Sequence, residues 1–201
     1  MSEPITLSSI ASDIEFIQAT IFNYLPFTVG IILFLALINF INQAIGGRLF
    51  ILGIIPRHIF GLIGIFCSPF IHGSFNHLFF NAIPLFFLMN MVLMYGFNVF
   101  LAVTLTIMVI AGGLTWLFGR HALHVGASGV ILGYFGFLVI IAYLVPSFLS
   151  IMLLVLTLYY FGGLVASLVP IHTQGVSVEG HIFGFIGGIA TYFLLPYLPV
   201  Q

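Results

Sequence analysis

The chain has 201 residues, of which 62% are hydrophobic and only 3% are charged, and its formal net charge is −1. Because a soluble domain carries roughly a quarter charged residues, this composition excludes a soluble globular protein. The small net charge also excludes electrostatic binding of nucleic acid. No charged residue lies between Arg57 and Arg120, between Arg120 and Glu179, or after Glu179. Uncharged apolar runs of this length indicate several transmembrane helices.

The first 24 residues form an acidic tail that we separate from a membrane domain over residues 25–201. Within this tail, the pattern from Ser12 to Glu15 is typical of a capping box. It predicts a short helix, and its mixture of polar and apolar residues suits a helix that lies on the membrane surface.

Six transmembrane spans are predicted, so both termini are expected on one side of the membrane. They run over about 25–44, 77–95, 97–118, 128–145, 148–169 and 180–197. The long first loop, 45–76, is apolar for a loop and is expected to lie partly in the membrane interface. Arg48, Arg57 and Arg120 all fall on the side opposite the termini, which the positive-inside rule would make cytoplasmic.

The scarcity of charged residues removes several chemistries. Asp13 is the only aspartate and the chain has no lysine, which excludes a two-aspartate protease, a Ser–Lys dyad and a Schiff base. The zinc motif His-Glu-x-x-His, the P-loop and the dinucleotide fingerprint are absent. Cys67 is the single cysteine, so no disulfide forms within the chain.

Gly126-Ala127-Ser128-Gly129 opens the fourth span. Small neighbours leave the hydroxyl of Ser128 accessible, and a helix N-terminus supplies backbone N–H groups that stabilise an oxyanion. The pattern therefore indicates a nucleophile. The alternative is a helix-packing face, because Gly129 and Gly133 form a GxxxG pair.

His181 follows Gly180 at the start of the sixth span. A histidine in a membrane span is costly and indicates function, here as a general base that accepts the proton of a serine. Gly184 and its neighbours in this span would let the sixth helix pack closely on the fourth. The alternative is a histidine that only bonds a backbone carbonyl.

His72, His77 and Asn81 make a third polar cluster. His77 and Asn81 are four residues apart and share one helix face, where both could donate hydrogen bonds to an oxyanion. The alternatives are a hydrogen bond between helices, or a metal site. The metal site would draw on His72, His77, His121, His124 or His181. The histidines His58, His121, His124 and His172 are otherwise interpreted as ordinary interfacial residues.

Together, and in this order, the three motifs resemble the rhomboid family of intramembrane serine proteases, of the bacterial type. The resemblance implies an all-α, six-transmembrane-helix bundle. It implies that Ser128 is the nucleophile and His181 the base, with the side chains of His77 and Asn81 and the Ser128 N–H as oxyanion-hole donors. Supporting positions are His72, Gly126, Gly129 and Leu132.

Two positions depart from the family pattern. The first loop has Arg57-His58 but lacks the tryptophan that precedes arginine in many bacterial relatives, and Trp116 is the only tryptophan in the chain. Leu132 stands where many relatives have a tyrosine one turn after the nucleophile. We expect Leu132 to support His181 by packing instead.

The resemblance further implies a multi-pass protein of the bacterial inner membrane with cytoplasmic termini, contrary to the arginine count. Its partners would be the lipid bilayer and transmembrane protein substrates, which it would cleave, and no cofactor is implied. The alternatives are a catalytically inactive rhomboid-like protein that binds transmembrane clients and a small transporter with a polar site at the membrane midplane.

Overall fold

The computed structural model describes residues 7–163 and 177–198, and within these ranges the fold is helical. The one β-pairing in the described part is an isolated antiparallel bridge between Ile54 and His124. The α-helices are α1 (Leu7–Ala44), α2 (Gly64–Cys67), α3 (Phe75–Leu93), α4 (Phe97–Phe118), α5 (Ser128–Leu144), α6 (Phe148–Phe161) and α7 (Val178–Leu194). Short 3-10 turns at Arg48–Leu52, Ile59–Leu62, Ser68–Phe70 and Leu195–Tyr197 complete the described elements. The predicted all-α membrane fold is confirmed.

In the part of the chain that the structure describes, four helical segments are long and apolar enough to cross a membrane: Ile10–Ala44, Phe75–Leu93, Phe97–Phe118 and Val178–Tyr197. The helices α5 and α6 have 17 and 14 residues, respectively. At 1.5 Å per residue these two lengths fall short of the roughly 30 Å hydrocarbon core. The count of six spans therefore stays a prediction. The predicted fifth span ends outside the described residues.

The predicted short helix in the tail is wrong. Helix α1 is one continuous helix of 38 residues that starts at Leu7 and includes Pro26. Ser12 thus lies inside it and does not cap its N-terminus. The proposed division after residue 24 also falls inside this helix. The apolar residues on both sides of the capping pattern continue the helix through it.

Helix α5 lies at the centre of the bundle and packs on α3, α4, α6 and α7. Its residues 130–138 are buried on every face, with Leu132, Tyr134 and Phe137 at 1% exposure or less. The hydroxyl oxygens of Tyr134 and Thr104 lie 2.7 Å apart and join α5 to α4. Packing on four helices restrains the helix that carries Ser128 as its first residue.

The contact between α5 and α7 is made by glycine backbones. A Cβ added at Gly184 would overlap the carbonyl oxygen of Gly129, and one at Gly188 would overlap that of Gly133. Since residue numbers rise together along the two helices, α5 and α7 are parallel. The predicted close packing of the two small-residue faces is therefore confirmed.

The first loop is fastened to the end of α4. Arg57, which adopts a left-handed backbone conformation with φ 59°, donates from its guanidinium to the carbonyls of Leu117 and Gly119 at 3.0 and 2.9 Å. A cation at a helix C-terminus both caps carbonyls and complements the helix dipole. The indole N–H of Trp116 donates to the carbonyl of His58 at 2.9 Å. A tryptophan of α4 thus contacts the first loop, whose own sequence contains none.

Candidate active site

Ser128 is the first residue of α5, and the turn before it is tied to the first loop. The N–H of Gly126 donates to the carbonyl of Ser68 at 2.9 Å, and the N–H of Ala127 donates to Nε2 of His72 at 3.4 Å. Gly126 has φ 115°, a conformation that a residue with a Cβ rarely adopts. The backbone that presents Ser128 is therefore set by a glycine and two hydrogen bonds.

The side chains of His77 and Asn81 converge on this turn. A Cβ at Gly126 would lie 2.9 Å from Nε2 of His77 and 3.3 Å from Nδ2 of Asn81. The N–H of Gly73 donates to Nδ1 of His77 at 3.4 Å, so the ring proton lies on Nε2, which faces Gly126. Nδ2 of Asn81 is buried and has no partner among the described groups. Two N–H donors are thus available beside the N-terminus of α5.

His181 lies in the first turn of α7 and is buried, with 8% exposure. Ser177 caps this helix: its Oγ accepts the N–H of Gly180 at 3.2 Å, and its carbonyl accepts the N–H of His181 at 3.1 Å. The carbonyl of Gly180 also lies close to Gly129, since a Cβ there would be 3.3 Å away. The residue that follows Ser128 and the residue that precedes His181 are therefore in backbone contact.

His72 is fully buried behind the Ser128 turn. Its ring centroid lies 5.2 Å from that of His77. Burial first, and the neighbouring His77 second, lower the pKa of His72 from 6.5 to about 4. The ring is therefore neutral near pH 7, which leaves Nε2 free to accept the Ala127 N–H.

The interpretation of His124 as an ordinary interfacial residue is wrong, because its side chain is only 5% exposed. Its Nδ1 lies 2.6 Å from the hydroxyl oxygen of Ser177. Ser177 could have been recognised as a helix cap that precedes an apolar run. For His124 the sequence carries no such signal, because its partner lies 53 residues further along the chain.

The remaining predicted positions are placed as follows. Leu132 is fully buried one turn after Ser128, and its support of His181 stays a prediction. His58 and His121 are exposed, as expected, and His172 lies outside the described residues. Within the part of the chain that the structure describes, no three His, Cys, Asp or Glu side chains are grouped as metal ligands.

A cavity of about 50 Å³ borders Ser128. It is lined also by polar side chains of four other segments, namely Ser68, Thr115, His124 and Ser177. One water needs roughly 10–15 Å³ and two to four polar partners. The cavity therefore has the size and the chemistry to hold water next to the serine.

Comparison with known proteins places the fold in a family. The family model described as the Rhomboid domain matches residues 59–198, more than half of the chain. This chain belongs to the rhomboid family. The rhomboid match covers α2 to α7 and all five residues on which the resemblance rests: His72, His77, Asn81, Ser128 and His181.

The rhomboid chain also has curated relatives in mycobacteria. The uncharacterized protein Rv1337 of Mycobacterium tuberculosis is 33% identical over 169 residues, which cover 80% of this chain and 70% of that protein. The uncharacterized protein ML1171 of Mycobacterium leprae is 32% identical over 142 residues, or 67% of this chain and 56% of that protein. The chain is a multi-pass integral membrane protein, and these relatives agree with a bacterial inner membrane.

Proposed function

We propose that the protein is an intramembrane serine endopeptidase that cleaves transmembrane segments of other membrane proteins by a Ser128–His181 dyad. Membership of the rhomboid family supports this activity. The single observation that carries it is that the N–H donors of His77 and Asn81 converge on Gly126, two residues before Ser128. This turn leads into the start of α5, which packs on the start of α7, where His181 lies.

In the proposed reaction, the Ser128 hydroxyl attacks the carbonyl carbon of the scissile peptide while His181 accepts the hydroxyl proton. Negative charge develops on the former carbonyl oxygen. Nε2–H of His77, Nδ2–H of Asn81 and the N–H of Ser128 are the donors proposed to stabilise it. His181 then protonates the leaving amine, which leaves an acyl group on Ser128.

Water completes the cycle. It attacks the acyl group and gives its proton to His181, which restores the Ser128 hydroxyl and releases the carboxylic acid. The cavity beside Ser128, whose lining includes several polar side chains, offers a place for this water. Substrates that unwind near a membrane face would expose the peptide bond to this site.

Cleavage of a reporter transmembrane substrate in proteoliposomes tests the proposal. We expect the wild type to cleave it and both Ser128→Ala and His181→Ala to lose cleavage while remaining folded. Folding is checked by size-exclusion chromatography and thermal unfolding. If the folded wild type binds transmembrane clients but cleaves none, the inactive rhomboid-like alternative is correct. If a folded variant keeps wild-type cleavage, the dyad is assigned to the wrong residues.

A further inference from the structure

Two side chains outside the proposed dyad join the segment before α5 to the start of α7. Nδ1 of His124 and Oγ of Ser177 are 2.6 Å apart, a short hydrogen bond between segments far apart in sequence. His124 is 5% exposed, so the bond is shielded from bulk solvent. We call this pair, His124 and Ser177, the α5–α7 clasp.

The direction of the bonds follows from their partners. Nε2 of His124 lies 3.1 Å from the carbonyl oxygen of Arg120, which can only accept, so the ring proton is on Nε2. Nδ1 is then an acceptor, and the Ser177 hydroxyl donates to it. The same Ser177 oxygen accepts the N–H of Gly180 at 3.2 Å. The clasp is therefore one directed chain of hydrogen bonds.

Both ends of the clasp are fixed close to the proposed dyad. The backbone of His124 exchanges two hydrogen bonds with Ile54, at 2.9 and 3.0 Å, and lies four residues before Ser128. Ser177 binds the N–H groups of Gly180 and His181. The clasp therefore joins the two backbone segments that carry Ser128 and His181, and it restrains their relative positions.

Two other contacts at this end of the bundle are less specific than the clasp. Glu179 forms an ion pair with Arg120 at 3.8 Å and accepts the Arg120 N–H at 3.4 Å, and the two side chains are 26% and 44% exposed. An ion pair of this exposure contributes little. The glycine contact between α5 and α7 brings the backbones together, but glycines have no side chains that interlock and fix the rotation of one helix against the other.

We propose that His124 and Ser177 are positioning residues that set the alignment of Ser128 with His181. This inference rests on the proposed protease function. A general base must lie within hydrogen-bond reach of the hydroxyl, and a displacement of about 1 Å can lower the rate on the order of 100-fold. The clasp is a buried side-chain hydrogen bond that links the two segments bearing these groups.

The experiment compares His124→Phe, which keeps a ring of similar volume without hydrogen bonds, with His124→Asn, which restores an acceptor. His121→Phe is the matched control, because His121 is exposed in the same segment. Cleavage of the reporter substrate gives kcat and KM, and labelling with a fluorophosphonate gives a rate and a final amplitude. We expect His124→Phe to lower kcat and the labelling rate by about 10- to 100-fold with KM unchanged. His124→Asn should restore both, and His121→Phe should match the wild type.

A purely structural role predicts a different result. If His124→Phe lowers only the labelled amplitude, while the folded remainder reacts at the wild-type rate, the positioning role is wrong. Wild-type kinetics in His124→Phe would also overturn it. If this variant does not fold, Ser177→Ala replaces it, with Ser177→Thr as the conservative rescue. If the wild type neither cleaves the reporter substrate nor reacts with the fluorophosphonate, the proposed protease function itself is wrong. The clasp then has no catalytic pair to align.

An independent arm uses the double variant. Because His124 and Ser177 act through one bond, the double variant His124→Phe/Ser177→Ala should lose no more kcat than Ser177→Ala alone. Losses that multiply would mean that the two residues act separately, which contradicts the clasp.

Discussion

At the residue scale, Asn81 is a buried amide whose Nδ2 lies beside the Ser128 turn without a partner among the described groups. We expect Asn81→Ala to lower kcat by about 100-fold, the lower end of what one oxyanion donor contributes, because other donors remain. KM should stay near the wild-type value. Asn90→Ala is the matched control, since Asn90 is also buried in α3 but bonds within its own helix to the Phe86 carbonyl. A loss confined to KM would contradict the role of Asn81.

His72 predicts a pH dependence of stability. Its pKa is lowered from 6.5 to about 4, so between these pH values the unfolded chain binds more protons than the folded protein. The lowered pKa therefore leaves the free energy of unfolding unchanged above pH 6.5 and reduces it as the pH falls from 6.5 towards 4. We expect the Tm of the detergent-solubilised wild type to fall more between pH 7 and pH 4.5 than that of His72→Gln. His121→Gln, at an exposed position, should behave like the wild type; equal pH dependence in all three would exclude this explanation.

At the scale of elements, the glycines of α7 differ sharply in what surrounds them. A Cβ at Gly188 would overlap the Gly133 carbonyl, whereas one at Gly187 would meet Ile110 at 3.4 Å, an ordinary contact. We expect Gly188→Ala to lower the free energy of unfolding by about 1–3 kcal/mol and to reduce cleavage, because α7 must move away from α5. Gly187→Ala should change neither. Equal thermal unfolding of the two variants would contradict backbone contact between α5 and α7.

Sequence patterns predicted the elements unevenly, for physical reasons. Helix α4 begins and ends where its apolar run does, and α5 begins at Ser128 as expected. The start of α1 was misplaced because a capping pattern caps a helix only where the helix begins, and apolar residues precede Ser12. The glycine contact between α5 and α7 could be predicted because glycines recur four residues apart in both helices. The contacts of Arg57, Trp116 and His124 could not, because they join segments more than 50 residues apart without any repeat.

At the scale of the whole molecule, the first loop, the end of α4 and the starts of α5 and α7 meet at one end of the bundle. Arg57 bonds the end of α4, and Arg120 pairs with Glu179. We expect this end to be external and the termini cytoplasmic, as the family resemblance implies and contrary to the positive-inside count. The two criteria give opposite orientations, so a labelling experiment decides between them.

The experiment uses a Cys67→Ala background with a single cysteine at Arg48 or at Glu15, both exposed positions near opposite ends of α1. An impermeant maleimide added to intact cells should label Arg48→Cys and not Glu15→Cys. The opposite pattern would reverse the orientation.

The central claim is that Ser128 is a nucleophile activated by His181. Its most direct test is fluorophosphonate labelling of the membrane-reconstituted protein, followed by mapping of the modified residue by mass spectrometry. We predict a single adduct on Ser128, lost in Ser128→Ala and slowed on the order of 100-fold or more in folded His181→Ala. An adduct on another serine, or on Ser128 at an unchanged rate without His181, would contradict the account.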